Sequence, residues 1–284
     1  MMMPEFLERW LGRLRPAVPT VAVVRLEGVI GPRAGRRTLN LRRYAGAIDR
    51  AFKLRGLKAV ALAINSPGGS PAQSALLYRR IRQLAAERAV PVIAFAEDVA
   101  ASGGYWLALA ADEIYAEDTS LVGSIGVVSA GFGFVEAMTR LGIERRLMTA
   151  GENKSLLDPF LPERERDIAR LKTLQGDLHD SFKDLVRERR GAKLKGDEAL
   201  LFSGEVFTGR RALGLGLVDG IGELRGIVRG LFGESVRLRP VEPERRRSLL
   251  TRFIPPFGAE AAGDLVGDLI ARIEERLTWA RFGL

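Results

Sequence analysis

The chain has 284 residues, a single histidine, no cysteine and a formal net charge of +9. That length allows one large α/β domain or two small ones, and the lack of cysteine excludes thiol catalysis, cysteine-ligated zinc and disulfides. The basic excess does not read as a nucleic-acid signature, since Lys and Arg alternate with acids in "ERERDIARLK" and "IARIEERL" as on solvated helix faces, and no zinc finger, Walker loop or aromatic-basic strand motif is present.

The opening "MMMPEFLERWLGRLRP" places Leu7, Trp10, Leu11 and Leu14 at helical spacing, with Arg9, Arg13 and Arg15 on other faces. Residues 1–18 therefore read as an amphipathic segment, either lying on an anionic membrane surface or docking on the protein itself or a sister subunit. No run of about 18 apolar residues and no signal-peptide core is found, which predicts a cytoplasmic chain, at most peripheral on the membrane. A main domain over 19–241 follows, in which strands alternate with helices. "TVAVVRLEGVI" (20–30) reads as a strand, "LRRYAGAIDRAFK" as a helix, and the near-continuous apolar run "KAVALAI" (58–64) as a strand covered on both faces. Ser70, Pro71 and Gln73 form a helix start with a cap, a proline at the first position and a capping-box partner. "PVIAFA" (91–96) is the next strand; "DEIYAE" and "IGVVSA" read as short strands, "FVEAMTRLG" as a helix, "ERRLMTA" as a strand, and about 163–190 as a long helix. Residues 242–284 read as a basic linker and a last amphipathic helix carrying Leu265, Leu269, Ile273 and Leu277.

Two strand-to-helix junctions carry chemistry. In "VAASGGYWLALAAD" (99–112), Ser102 precedes a buried helix that begins with Gly103 and Gly104. The serine suits an N-cap, but glycines in a first helical turn each cost roughly 0.8–1 kcal/mol against alanine, so helix stability alone does not select them. Glycine lets another backbone approach, and first-turn amides favour developing negative charge, which is the setting of a nucleophile. The second junction, "NSPGGS", offers the amides of Gly68 and Gly69. With the two strands side by side, Gly69 N–H and Gly103 N–H converge near the Ser102 hydroxyl as an oxyanion hole. A base is also required. His179 lies in a charged amphipathic stretch and reads as a solvated surface residue, which argues against a Ser-His-Asp triad and leaves a carboxylate or a lysine.

"INSPGGS", "AASGGYWLALAADEIYA", "GSIGV" and "TAGENKSLLDPF", in this order over about residues 20–235, resemble the signal peptide peptidase A family of serine proteases. The resemblance implies an α/β Clp protease/crotonase-like fold of repeated strand-helix units, here with a C-terminal helical extension. It implies Ser102 as nucleophile, Lys154 of the Thr149–Lys154 motif as general base, and Ser124 as the group holding the lysine amine. It further implies hydrophobic peptide substrates such as remnant signal peptides, a homo-oligomeric ring, and neither metal nor cofactor. Two other readings use the same fold: an acyl-CoA enzyme, which would need acidic residues at the site, and a non-catalytic scaffold at a membrane surface.

Overall fold

The computed structural model describes residues 18–32, 38–243 and 276–283. The amphipathic stretch at 1–17 and the linker with most of the C-terminal helix, residues 244–275, lie outside the described residues, and residues 276–280 are helical.

The strands β1 (Thr20–Glu27), β2 (Leu57–Ser66) and β3 (Val92–Ala101) pair in parallel as the middle of one sheet. Parallel neighbours need crossovers, and helices α1 (Leu41–Ala51) and α2 (Pro71–Arg88) supply them. The strand alternation then sorts side chains by face. Val60, Leu62 and Ile64 enter the larger core with the helices, whereas Ala59, Ala61, Ile93 and Phe95 join Val228 in a smaller core on the other face. This two-sided burial accounts for the continuous apolar reading of 58–64.

Short strands β4 (Glu113–Ala116) and β5 (Leu121–Gly123) both pair with β3, at successive stretches of it. Between the pairs Ile64–Ala96 and Ser66–Ala100, β3 advances four residues against two in β2, and this bulge lets β3 change neighbours. Asn65 secures it, donating to Asp98 Oδ2 at 2.6 Å while its Oδ1 accepts from Val99 N at 3.3 Å. The edges are β6 (Val206–Thr208), antiparallel to β5, and β8 (Arg237–Pro240), parallel to β1; β7 (Gly220–Ile221) pairs with β4.

The helices α3 (Gly103–Ala108), α4 (Val135–Arg140) and α5 (Glu165–Arg190) match the expected positions. The short α6 (Glu198–Leu201) and α7 (Gly209–Gly214) and the longer α8 (Leu224–Phe232), which covers the second face, complete the domain. Three expectations are corrected. "IGVVSA" is not a strand, because β5 ends at Gly123 and the chain leaves the sheet there. "ERRLMTA" has no neighbouring ladder among the described residues and stays irregular and exposed. The capping box is half formed: Ser70 Oγ accepts from Gln73 N, but Gln73 Oε1 accepts instead from Leu41 N, tying α1 to α2.

The end of α5 is anchored by a buried ion pair. Arg190 donates to Asp219 at 2.7 and 3.1 Å and to Gly216 O at 2.8 Å, and Asp219 Oδ2 accepts from Ile114 N at 2.8 Å. Burial pushes the Asp219 carboxyl up, but the bonds from Arg190 and Lys193 outweigh it and hold the group below its ordinary value. Removing one partner of a buried pair strands the other, so Arg190→Met should cost about 3 kcal/mol in urea unfolding, the low end of such losses because Lys193 stays. Because the folded carboxyl titrates below its unfolded value, the ion pair stabilises fully above that unfolded value. The gap between wild type and variant should therefore narrow as pH falls below about 4.

Candidate active site

At the end of β3 the chain turns sharply into α3, and Ser102 occupies the turn with φ 52 and ψ −120. A non-glycine residue in that region is strained by about 1–3 kcal/mol and persists only where the surroundings fix it. Here Ser102 N donates to Gly123 O at 2.8 Å, and Ser102 O accepts from Trp106 N at 3.0 Å. The Ser102 side chain makes no capping hydrogen bond, although the residue stands at the N-cap position. The capping explanation for this serine therefore fails, and its hydroxyl is left half-buried and unengaged among the described residues.

The glycines explain how the two junctions meet. A Cβ on Gly68, where φ is +101, would lie 2.7 Å from Ser102 Cβ; one on Gly69 would lie 2.0 Å from Ile30 O; one on Gly104 would lie 2.4 Å from Ser66 O. A Cβ on Gly103 would lie 2.6 Å from Ser74 Oγ, 3.1 Å from Ile30 Cδ1 and 3.3 Å from Gly69 N, so the Gly103 backbone packs directly against α2, Ile30 and the turn after β2. Ile30 and Ser66 fix the arrangement. Ile30 N donates to Gly68 O and Ile30 O accepts from Ser70 N, both at 2.8 Å, while the fully buried Ser66 hydroxyl donates to Gly28 O at 2.7 Å and accepts from Gly68 N at 3.2 Å. Gly69 N–H and Gly103 N–H have no acceptor among the described residues. Two unengaged amides beside an unengaged serine hydroxyl are what an acyl-transfer site requires.

Ser124 also reaches this place. Ala101 pairs with Gly123, so Ser102 and Ser124 follow in adjacent positions of the parallel register, and both have φ 52. Ser124 N is held by Glu205 O at 2.8 Å. Lys154 is not brought in. It lies in the turn 151–157, exposed, and its ammonium has no partner among the described residues. The whole stretch from Val128 to Met148 is similarly open, with Val128, Phe132, Leu141 and Ile143 exposed and Met148 95 % exposed. His179, expected on a solvated face, is half-buried instead, with Nε2 3.1 Å from Ile125 O. The reason is that one side of α5 packs on the segment leaving β5. Among the described residues no group of His, Asp and Glu could hold a metal ion.

Ile30, Asn65 and Ser66 were not singled out by sequence reasoning. Asn65 and Ser66 did leave a signal: two polar residues close an otherwise apolar strand, and both serve backbone groups where the ladder is interrupted.

A strained serine between a parallel strand and a helix, beside two amides without an acceptor among the described residues, makes a candidate serine-nucleophile site. The sequence profile of peptidase family S49 matches residues 85–232, which include Ser102, Ser124 and Lys154. The chain belongs to this family of peptidases. It is 37 % identical over 171 residues to the chloroplastic serine protease SPPA of Arabidopsis thaliana, covering 59 % of this chain and 24 % of that protein. It is also 49 % identical over 293 residues to a Brucella abortus (strain 2308) protein named Na(+)/H(+) antiporter NhaA, covering 99 % of this chain but 39 % of that protein. Among the described residues no helix is long and apolar enough to cross a membrane. A solved structure similar to it is the 1510-N membrane protease specific for a stomatin homolog from Pyrococcus horikoshii, at 15 % identity and a TM-score of 0.45 over 83 % of this chain and 98 % of that one.

Gly69→Ala should separate the glycine's packing role from simple flexibility. The added methyl would overlap Ile30 O at φ +137, so the variant should lose roughly 1–3 kcal/mol of stability in urea unfolding. Gly214→Ala, whose Cβ would meet nothing within 4 Å, should be neutral or slightly stabilising in the same measurement.

Proposed function

We propose that the chain is a serine endopeptidase acting on hydrophobic peptides, remnant signal peptides among them, with Ser102 as nucleophile and Lys154 as general base. The observation that carries this reading is the pair of unengaged amides, Gly69 N–H and Gly103 N–H, beside a Ser102 hydroxyl that caps nothing. Ser102 Oγ attacks the scissile carbonyl carbon and its proton passes to the Lys154 amine. The amides take the charge that develops on the carbonyl oxygen, one such donor being worth about 2.7–4 kcal/mol. Lys154 returns the proton to the leaving amine, and water repeats the cycle on the acyl-enzyme. Ser124, beside Ser102 in the register, orients the amine.

Within one chain the base stands away from the serine, on a segment whose apolar residues are uncovered. Assembly into the homo-oligomeric ring covers that segment and completes the site. The competing acyl-CoA and scaffold readings predict no activated serine. A serine-directed phosphonate should therefore label Ser102 in the wild-type protein and not in Ser102→Ala. No labelling of a folded wild-type protein would reject the peptidase reading.

Ser102→Ala and Lys154→Ala should each lower kcat/KM on a quenched hydrophobic peptide by on the order of 10⁴-fold or more, and the double variant should be little worse. Thermal unfolding of Ser102→Ala should match wild type or rise slightly, because no capping bond is lost.

A further inference from the structure

Lys154 sits in an exposed turn, yet both of its chain neighbours are tethered to the start of α5. Arg170 donates to Asn153 Oδ1, and Arg164 Nη2 lies 3.5 Å from Ser155 Oγ. The two arginines converge on one carboxylate. Arg164 Nε donates to Asp167 Oδ2 at 2.7 Å, and Arg170 Nη1 stands 3.7 Å from Asp167 Oδ1. Asp167 is 2 % exposed, whereas the side chains of Arg164 and Arg170 are 39 % and 41 % exposed.

A buried carboxylate is an expensive way to start a helix. An exposed acid suffices to complement first-turn amides, and Glu165 already provides one. Burial of a charge costs several kcal/mol unless its partners repay it, and here Asp167 Oδ1 has no hydrogen-bond partner among the described residues. What the buried anion does accomplish is geometric. It holds two long, half-exposed arginines in one place, so that their outer N–H groups grip residues 153 and 155 on either side of the lysine. Without it, both arginines have free choice of rotamer and the turn loses its only side-chain tethers to α5 among those described.

We infer that Asp167, acting through Arg164 and Arg170, is a positioning residue that fixes the turn presenting Lys154 to the serine. The inference rests on the Ser102/Lys154 reading, and it deepens that reading by assigning what aims the base.

Proton transfer demands near-ångström placement, and misplacement of about 1 Å costs on the order of 100-fold in rate. The test compares Asp167→Asn, Arg170→Met and Asn153→Ala in the full chain on a quenched hydrophobic peptide. Folded Asp167→Asn should lose between about 10- and 100-fold in kcat with KM within about twofold of wild type, since the Gly69 and Gly103 amides that would donate to the substrate carbonyl are untouched. Arg170→Met should show the same split to a smaller degree. Adding Asn153→Ala to Asp167→Asn should bring no further loss, because the two act along one path. Should Asp167→Asn fail to fold, Arg170→Met, altered at a half-exposed side chain, decides the matter alone. Wild-type kcat in folded Asp167→Asn or Arg170→Met, a rise in KM at constant kcat, or losses that multiply with Asn153→Ala would each overturn the inference. Lys154→Ala separates the two levels: if it is inactive while the α5 variants keep wild-type kcat, only the positioning role fails. If Lys154→Ala retains activity, the base assignment itself fails.

Discussion

The close approach of two backbone turns governs this structure. The turn after β2 and the turn after β3 come together so tightly that a methyl group on Gly68, Gly69 or Gly104 would overlap backbone or Cβ atoms of the other turn or of Ile30. Because the strands are parallel neighbours, both turns emerge at the same end of the sheet, where the carboxyl ends of parallel strands open a crevice. The glycines allow the approach, the β2–β3 ladder enforces it, and the Ser66 hydroxyl ties Gly68 to Gly28 across it. The unengaged amides of Gly69 and Gly103 are a consequence. Each belongs to a backbone held in place by its neighbours, so an incoming carbonyl oxygen meets donors that need no reorganisation.

The bulge in β3 adds direction to this approach. A regular strand would keep a single partner on that side, whereas the extra residues around Glu97 and Asp98 let β3 pass from β4 to β5. Asn65 and Ser120 satisfy the groups the bulge exposes, Ser120 Oγ donating to Glu97 O at 2.5 Å. The exchange of neighbour places Gly123 O where it accepts from Ser102 N, and with it sets Ser124 beside Ser102. Strain at Ser102 is thus supported from two strands and a helix, and the hydroxyl is displayed at the turn.

Much of this was legible in the sequence because it depends on local chemistry. Continuous apolar runs bounded by Gly and Pro gave the central strands, and Gly103 and Gly104 in a first helical turn signalled a close approach before any contact was visible. The edge strands at 206–208, 220–221 and 237–240 were missed because two to four residues carry no periodicity, and their pairing comes entirely from the sheet beside them. "ERRLMTA" failed for a different reason: a strand is a pairing relation, and no ladder among the described residues reaches it. The position of His179 against Ile125 O was equally out of reach, since it depends on which side of α5 meets the segment leaving β5.

The two halves of the candidate dyad rest on different physics. Ser102 is held by ladder hydrogen bonds and by backbone packing that tolerates no added atom, interactions that belong to the sheet and vanish only when the sheet unfolds. The turn carrying Lys154 is held by side-chain hydrogen bonds to its neighbours Asn153 and Ser155 and by an ion cluster on α5, interactions that give way locally at far smaller free-energy cost. The candidate nucleophile and the amides beside it are therefore fixed in the folded chain, while the placement of the proposed base depends on interactions that can be adjusted without disturbing the core.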